Sequence, residues 1–224
     1  MQKEKELQIT LRNVSKKYGE HSILENISLD IYKGDFVCIF GKSGGGKTTL
    51  LNIIGTLENY DSGSVICFSN RDPIKDPKVG ELLRREKIAY LFQNFALVEK
   101  MTVEENMMLA AKYNQEKNKK KLIEAALNKM GISDKLKSKV YELSGGEQQR
   151  VALARNMIKP FEIMLADEPT GSLDYENKKI VIDTLIRLND EGKTIVVVSH
   201  DKDFEKVAHK NYIIEKSAIR EVLR

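Results

Sequence analysis

The chain has 224 residues, a length that suits one domain or one domain with a small subdomain. Hydrophobic residues make up 41% and charged residues 31%, which is the balance of a globular protein and excludes a disordered or fibrous one. The 37 basic and 33 acidic residues give a formal net charge of +4, and the two signs are mixed along the chain. We therefore expect no nucleic-acid partner.

The two cysteines, Cys38 and Cys67, have the spacing of neither a metal site nor a disulfide framework, which favours a reducing compartment. The N-terminal sequence MQKEKELQIT is polar and lacks the apolar centre of a signal peptide. Uninterrupted apolar runs are far shorter than the roughly 18 residues of a membrane-spanning helix. We therefore expect the chain to act at a membrane only through a partner, if at all.

Short apolar runs and helical periodicity alternate along the chain. The runs predict buried strands at residues 36–40, 88–92, 163–166 and 194–198. The periodicity predicts helices at residues 48–57, 102–112, 119–130, 147–158 and 175–188. Thr102 and Glu105 have the spacing of a capping box. Strands alternating with helices indicate an α/β fold with a mostly parallel sheet.

Residues from about 94 to 159 contain helical patterns without a convincing strand. This predicts a helical subdomain inserted into an α/β core formed by residues of about 1–93 and 160–224, all within one domain. The basic run at residues 117–121 is interpreted as a solvated helix start, with contact to lipid headgroups as the alternative.

Each predicted strand is followed by polar residues suited to chemistry. They are a glycine-rich loop, Gln93, Asp167 with Glu168, and Ser199 with His200. Ligands of open α/β sheets bind at the carboxyl ends of the strands. The four polar endings are therefore expected to form one site.

The glycine-rich loop GKSGGGKT, residues 41–48, fits the pattern G-x-x-x-x-G-K-[ST] between a predicted strand and a predicted helix. Its glycines let backbone N–H groups point at phosphate oxygens, and the helix N-terminus adds partial positive charge. Lys47 is expected to reach the β- and γ-phosphates, and the Thr48 hydroxyl to bind Mg²⁺. This context disfavours the alternative of a flexible turn, and it predicts a nucleotide site without specifying the reaction.

Asp167 and Glu168 end an apolar strand and have separate expected roles. Asp167 can hold Mg²⁺ or its waters beside the glycine-rich loop. Glu168 can polarise a water for attack on the γ-phosphate. The alternative is a solvated pair that starts a turn at Pro169, and the presence of the glycine-rich loop favours the functional interpretation.

A second anion site is suggested by LSGGEQQR, residues 143–150, where a serine and two glycines precede a predicted helix. The alternative is a helix start with Ser144 as the N-cap. Because the glycine-rich loop already accounts for the single γ-phosphate of one ATP, a second site suggests an ATP shared by two subunits.

With these motifs in this order, almost the whole chain resembles the nucleotide-binding domain of ATP-binding cassette (ABC) proteins. The resemblance implies a P-loop NTPase (RecA-like) core with a mostly parallel sheet, an N-terminal antiparallel β portion and an inserted helical subdomain. It implies ATP and Mg²⁺ as ligands. Two departures from the family pattern are Glu147, where glutamine is commonest, and Lys42, where many members have proline.

The resemblance also assigns site residues. Those implied to bind nucleotide are Tyr18, Gly41, Lys42, Ser43, Gly44, Gly45, Gly46, Lys47, Thr48, Thr49, Gln93, Ser144, Gly145, Gly146, Glu147, Asp174 and His200. Those implied to be catalytic are Glu168, His200, Lys47 and Gln93, and those implied to bind metal are Thr48, Gln93 and Asp167. Tyr18 would stack on adenine, and residues 144–147 would contact the ATP held by the other subunit.

Residues 166–174, ADEPTGSLD, are similar to the branch serving macrolide exporters, lipoprotein-release systems and antimicrobial-peptide export, and residues 90–97 resemble bacteriocin exporters. This implies a homodimer that closes head to tail around two ATP and drives a separate integral membrane permease. The expected cargo is a peptide, drug or lipid-type molecule. The chain would lie at the cytoplasmic face of the membrane, in contact with it through the permease only.

Other functions remain open. A cell-division-type cassette that transmits a signal is the nearest rival, followed by a soluble ABC ATPase of DNA repair or translation. A P-loop kinase has no use for residues 143–150. Four apolar residues after Gln93 could form a groove for the permease or could pack the subdomain onto the core; they are Phe95, Leu97, Val98 and Met101.

Overall fold

The structure, a computed structural model, describes residues 5–222 and contains one antiparallel sheet and one mixed sheet. The strands are β1 (Leu7–Tyr18), β2 (His21–Tyr32), β3 (Phe36–Gly41), β4 (Ser62–Cys67), β5 (Asn70–Arg71), β6 (Ile88–Leu91), β7 (Ile163–Asp167), β8 (Thr194–Val198), β9 (Lys210–Glu215) and β10 (Ala218–Val222). The helices are α1 (Lys47–Ile54), α2 (Pro77–Glu86), α3 (Val103–Ala111), α4 (Lys119–Lys129), α5 (Gly145–Ile158), α6 (Tyr175–Asp190) and α7 (Lys202–Val207). The ends of the predicted domain, residues 1–4 and 223–224, lie outside this description.

The mixed sheet has the strand order β10-β9-β3-β8-β7-β6. The five strands from β9 to β6 run parallel, and β10 pairs antiparallel with β9. Every residue of β6, β7 and β8 is buried, which explains why these strands are apolar throughout and do not alternate with polar residues. The structure is an α/β P-loop NTPase fold, as the sequence predicts.

The antiparallel sheet has the strand order β2-β1-β4-β5 and forms the N-terminal β portion. Its two long strands, β1 and β2, each cover twelve residues and pair antiparallel from Leu7 opposite Tyr32 to Tyr18 opposite His21, with several register shifts along their length. Its apolar face, which includes Ile9, Leu11 and Ile27, is fully buried. The resemblance implied this sheet, whereas the four apolar runs did not include its strands.

Two apolar clusters cover the two faces of the mixed sheet. One joins Val37 and Ile39 of β3 to α1 and to the antiparallel sheet. The other joins Phe36 and Cys38 of the same strand to helices α3–α7. Successive side chains of a strand point to opposite faces, so β3 supplies both clusters. The sheet is thereby covered on both sides and its carboxyl edge is left for a site.

Helices α3, α4 and α5 pack against one another. The predicted capping box is confirmed, because the Thr102 hydroxyl accepts from the Glu105 N–H at 3.2 Å and the Thr102 N–H donates to the Glu105 carboxylate at 2.7 Å. Asn118 caps α4 by accepting from the N–H of Lys121 at 3.0 Å. Of the described residues, 94–159 contain no extended strand. The proposed division into core and subdomain stays a prediction.

All four predicted strands and all five predicted helices are present; β8 has the predicted bounds, and the other elements differ at one or both ends. Helix α1 ends at Ile54, three residues earlier than predicted, because the chain turns at Gly55 and Thr56 has a φ of 57°. Neither the apolar runs nor the helical periodicity predicted α2, α7, β9 and β10, because these elements are short or only partly buried. Within residues 5–222, no helix combines the length and apolar character needed to cross a bilayer.

Asp35, just before β3, is a fully buried carboxylate that joins distant segments. It lies 2.7 Å from the Lys210 Nζ of β9 and 3.2 Å from the Lys5 Nζ, and it accepts from the N–H of Tyr32 at 3.0 Å. Burial by itself raises the pKa of Asp35, but the hydrogen bonds from Lys210 and Tyr32 outweigh it and hold the pKa below its usual range. The ionised form is therefore the one that stabilises the fold.

We predict that Asp35→Asn lowers the free energy of unfolding by about 2 kcal/mol at pH 7, because it removes the counter-charge of the partly exposed Lys210 ammonium group and weakens the hydrogen bonds accepted at this buried position. The contribution of a carboxylate with a lowered pKa is complete above its unfolded pKa near 4 and is lost as the pH falls through its folded pKa. Urea unfolding should therefore give a constant gap between variant and wild type from pH 7 to 5 and a shrinking gap below about pH 4. A gap that grows towards acid would contradict this account.

Candidate functional site

The carboxyl edge of the mixed sheet contains a cleft of about 690 Å³. Its lining residues come from the glycine-rich loop, β1, β2 and the turns after β6, β7 and β8; they are Tyr18, Ile23, Gly41, Ser43, Gly44, Gly45, Gly46, Lys47, Thr48, Thr49, Gln93, Glu168, Gly171, Ser172 and His200. The cleft therefore brings together residues from all four predicted polar endings.

The glycine-rich loop has a backbone conformation that favours glycine. Gly44 and Gly46 have φ values of 73° and 91°, in the left-handed region that side chains rarely adopt. A Cβ atom at Gly46 would lie 3.0 Å from the backbone oxygen of Ile23, so β2 packs against the loop here. Helix α1 begins at Lys47, directly after the loop. The positive end of the helix dipole and the curled backbone thus face the same cleft.

The Lys47 ammonium group is held in place by backbone oxygens. Its Nζ donates to the carbonyl oxygens of Gly41 at 2.9 Å and Lys42 at 3.1 Å, and it lies 3.7 Å from the Glu168 Oε1. The side chain is 8% exposed. A fixed, nearly dehydrated positive charge therefore lies between the loop and the end of β7, where it can bind an anion.

Asp167 and Thr48 form a second polar contact at the base of the cleft. The Thr48 hydroxyl donates to the Asp167 Oδ1 at 3.2 Å. Burial raises the pKa of Asp167; the Thr48 hydrogen bond opposes this shift, and the neighbouring charge of Glu168 adds to it. A buried carboxylate with too little positive charge around it, next to a hydroxyl oxygen, fits a hard cation such as Mg²⁺.

Glu168 is held in an unusual conformation. Its φ of 43° lies in the left-handed region, which costs about 1 kcal/mol or more for a residue other than glycine. Its Oε2 accepts from the Ser199 hydroxyl at 3.2 Å and the His200 N–H at 3.3 Å, and it lies 2.9 Å from the His200 Nδ1. The turn after β8 therefore holds the carboxylate at the mouth of the cleft.

Tyr18, at the end of β1, and Gln93, in the turn after β6, line the same cleft. The Tyr18 ring is 49% exposed, and its hydroxyl is hydrogen-bonded to Glu58. The Lys16 Nζ lies 5.1 Å from the ring centroid. Gln93 follows β6 and is exposed. A flat aromatic face and an amide are thus available to a ligand in the cleft.

Some predicted site residues do not line the cleft of their own chain. Ser144 instead caps α5, accepting from the Glu147 N–H at 3.3 Å, and the Glu147 carboxylate lies 3.1 Å from the Lys135 Nζ. Asp174 caps α6 by accepting from the N–H of Asn177 at 2.8 Å. Gly145 and Gly146 are likewise outside the lining. Lys42 and Asp167 are also absent from the lining, although Lys42 belongs to the glycine-rich loop and Asp167 contacts Thr48. The cleft of one chain therefore contains neither residues 144–147 nor Asp174.

Three lining residues were not among the predicted site residues: Ile23, Gly171 and Ser172. Ile23 lies in β2, and its position beside the loop follows from the packing of the antiparallel sheet, so no local pattern indicates it. Gly171 belongs to the run ADEPTGSLD, residues 166–174, which begins at the last residue of a predicted strand. Its position after that strand was therefore a signal that could have placed it at the cleft.

A second cleft, of about 370 Å³, lies between α2, α3 and α5. Four of its lining residues are cationic and one, Glu81, is acidic; the cations are Arg84, Arg85, Arg155 and Lys159. Burial lowers the pKa of Lys159 to about 8, and the neighbouring Arg155 adds to the shift. The exposed side chains of Leu57, Leu109 and Tyr113 lie on the same cleft. We name this cationic and apolar surface the α2–α3–α5 groove.

The four apolar residues after Gln93 do not line this groove. Phe95 and Leu97 are partly buried and pack against the helical side of the core, as the packing alternative predicts. Val98 is 44% exposed, and Met101 is partly buried.

The family model described as ABC transporter matches residues 24–171. The macrolide export ATP-binding/permease protein MacB of Campylobacter jejuni is 46% identical over 202 residues, which cover 86% of this chain and 30% of that protein. The lipoprotein-releasing system ATP-binding protein LolD of Aquifex aeolicus is 39% identical over 200 residues, which cover 88% of this chain and 89% of that protein. The chain thus spans less than a third of the MacB relative and most of the LolD relative.

A solved structure has the same fold. The dimeric ATP-binding cassette MJ0796, in a post-hydrolysis state bound to ADP and Pi, is 34% identical with a TM-score of 0.88. The match covers 96% of this chain and 97% of that chain.

We predict that pyrophosphate at millimolar concentration raises the Tm of the wild-type chain by about 3 to 6 °C, because an anion that binds only the folded state stabilises it. Lys47→Met should lose most of this rise, since the fixed ammonium group is removed. Lys120→Met, which removes an exposed lysine of α4, should keep it. Differential scanning calorimetry with and without pyrophosphate measures the effect, and an equal rise in the Lys47 variant would exclude the loop as the anion site.

Proposed function

The chain belongs to the ABC transporter family of ATPases, and on that basis we propose that it closes as a head-to-tail homodimer around two ATP and drives a membrane permease. The single observation that carries the proposal is the convergence of Lys47, Glu168 and His200 on one cleft beside the glycine-rich loop. Family membership and the MacB and LolD relatives support a transporter subunit as the setting.

We propose that the cleft binds ATP with the base on Tyr18 and the phosphates on the glycine-rich loop. The half-exposed Tyr18 ring offers a flat surface for stacking. The N–H groups of residues 41–49 and the start of α1 offer hydrogen bonds and positive potential to the phosphates. Lys47 then neutralises charge on the β- and γ-phosphates, a role that its burial and fixed position support.

Thr48, Asp167 and Gln93 are the proposed Mg²⁺ site. The hydrogen bond between Thr48 and Asp167, the raised pKa of Asp167 and the position of Gln93 on the cleft that Thr48 also lines support this assignment. When bound, Mg²⁺ would neutralise negative charge shared by the β- and γ-phosphate oxygens. Asp167 would hold it in an orientation fixed by β7, since the carboxylate is almost fully buried.

Glu168 is the proposed general base. Its carboxylate is held by Ser199 and His200 at the mouth of the cleft, so it can accept a proton from a water that attacks the γ-phosphate. His200 and Lys47 would stabilise the charge that develops on the transferred phosphoryl group. The products are ADP and phosphate, and the proton of the water passes to Glu168.

The second wall of each ATP site is proposed to come from the partner subunit. Residues 144–147 and Asp174 lie outside the cleft of their own chain, which is the arrangement that a shared site requires. The similarity to a dimeric cassette supports this interpretation. In the ATP-bound dimer, the Ser144 hydroxyl and the N–H groups at the start of α5 would face the γ-phosphate of the opposite site.

We predict that Glu168→Gln lowers kcat for ATP hydrolysis by about 100-fold or more, because the amide cannot accept the proton of the attacking water. ATP should still bind, so the variant should accumulate as an ATP-dependent dimer. Size-exclusion chromatography with light scattering, with and without ATP and Mg²⁺, measures this. Asp183→Asn, a change at an exposed carboxylate of α6, is the matched control. An active monomeric Glu168 variant would contradict the mechanism.

The proposed contact with the permease is the α2–α3–α5 groove. Its apolar rim suits an amphipathic segment of a membrane protein, and its excess of cations suits a carboxylate on that segment. Arg155 and Lys159 donate to backbone oxygens and are not paired with acidic side chains in the described contacts, so a carboxylate from the permease would meet uncompensated positive charge.

We predict that Leu109→Glu reduces recovery of an integral membrane permease with the tagged chain by about tenfold or more, because a carboxylate replaces an apolar contact at the rim. Leu82→Glu is the matched control, since Leu82 is 45% exposed and Leu109 46%, and only Leu109 lines the groove. The measurement is quantitative mass spectrometry after purification from detergent-solubilised membranes. Equal recovery with both variants would exclude the groove as the docking surface.

We propose export or extraction of a peptide, drug or lipid-type substrate as the task of the complete transporter. The relatives named for macrolide export and lipoprotein release support a drug or a lipid-type substrate. Bacteriocins are proposed as the peptide class on the resemblance of residues 90–97. The chain would work at the cytoplasmic face of the membrane through its permease. A permease that transmits a signal without transport would favour the cell-division alternative, and recovery with DNA or ribosomes would favour a soluble ABC ATPase.

A further inference from the structure

Lys178, in the first turns of α6, lies between two carboxylates at the start of α7. Its Nζ is 2.9 Å from the Asp201 Oδ2 and 2.6 Å from the Asp203 Oδ2. The side chains of Lys178 and Asp201 are 25% and 16% exposed. Because both groups are largely removed from solvent, salt and water screen this contact less than they screen an ordinary surface ion pair.

Asp201 is the centre of this network. Its Oδ2 also accepts from the Thr170 hydroxyl at 3.0 Å, and its Oδ1 accepts from the N–H of Asp203 at 3.0 Å. Thr170 lies in the turn that follows Glu168, and Asp203 lies in the first turn of α7. Lys178 therefore ties α6 to the two turns that follow β7 and β8.

The residue immediately before Asp201 is His200, whose side chain is 74% exposed. Side-chain packing therefore contributes little to the position of the His200 imidazole, so the backbone of the loop must determine that position. The Asp201 N–H donates to the Ser199 hydroxyl at 3.1 Å, and that hydroxyl donates to the Glu168 Oε2 at 3.2 Å. A displacement of Asp201 would thus change the positions of both groups that hold Glu168.

We propose that Lys178 is a positioning residue for ATP hydrolysis, because by holding Asp201 it fixes the loop that aims His200 at Glu168 and at the γ-phosphate. The inference rests on the proposed function of the cleft. Lys178 itself does not line the cleft, so it touches neither nucleotide nor attacking water. It acts only through the loop of residues 199–203.

The position of Lys178 predicts a change in kcat without a matching change in KM. Lys178→Met should lower kcat by about tenfold, since small misplacement of a catalytic group has large effects on rate. KM for ATP should stay within about twofold, because the binding groups at Tyr18 and the glycine-rich loop are untouched. Lys178→Arg should restore most of kcat by pairing with both carboxylates. Lys179→Met removes the neighbouring exposed lysine and should behave like wild type.

A double-mutant cycle separates positioning from general destabilisation. If Lys178 acts in part by positioning the His200 side chain, then Lys178→Met should lower kcat by clearly less in a His200→Ala background than in the wild-type chain; the contacts of Ser199 and of the His200 N–H with Glu168 remain in that background. A merely structural effect of Lys178 would multiply with that of His200. Full multiplication of the two losses, or a wild-type kcat in Lys178→Met, would overturn the inference.

Amide hydrogen exchange tests the same contact without any need for hydrolysis. In nucleotide-free protein, Lys178→Met should accelerate exchange in residues 199–203 by about fivefold or more, while Lys179→Met should leave it unchanged. Lys178→Gln provides a second variant should the Met variant fold poorly. Unchanged exchange in this loop would overturn the inference and leave the proposed function intact. A wild-type chain that hydrolyses no ATP would contradict the proposed function, and the exchange result would still decide the role of Lys178.

Discussion

The parallel register of β3, β8 and β7 is the constraint on which the site depends. Ile39 pairs with Val198, and Val198 pairs with Asp167, so the three strands end side by side. Hydrogen bonds continue beyond the strand ends, from the Glu168 N–H to the Val198 oxygen at 2.9 Å and from the Ser199 N–H to the Ile39 oxygen at 3.2 Å. A shift of one residue in any of these strands would reverse the faces of its side chains and separate Glu168 from the glycine-rich loop.

The same register brings two carboxylates and one ammonium group together at the end of β7, which lowers the stability of the fold at this point. Asp167 and Glu168 are neighbours at the end of a buried strand, and the charge of Glu168 contributes to the raised pKa of Asp167. Lys47 lies between the glycine-rich loop and Glu168 and offsets part of this negative charge. Glu168 also has a positive φ. Stored strain and imperfectly balanced charge at one cleft are typical of functional sites, and the rigid cores on both faces of the sheet stabilise the chain elsewhere.

Local patterns predicted most of the regular core because its strands are buried on both faces and its helices have one apolar side. The capping box at Thr102 and the glycine-rich loop at residues 41–48 depend on neighbours in sequence, so they could be recognised with no structure at hand. Strands β9 and β10 are only partly buried and form a hairpin. Their place in the sheet depends on the non-local pairing of β9 with β3, so no run of apolar residues predicted them. The contact of Ile23 with Gly46 could not be predicted from local sequence either, because it depends on the packing of β2 against the glycine-rich loop.

The amino-acid sequence by itself determined the fold class, the phosphate-binding loop and the identity of the polar residues after each strand, because each depends on residue type and short spacing. The tertiary structure alone decided which of those residues meet. It brought Tyr18, Gln93, Glu168 and His200 to one cleft and left residues 144–147 outside it. It also brought Lys178 within hydrogen-bond distance of Asp201 across 23 positions of sequence. Contacts between elements depend on strand order and packing, which no local spacing records.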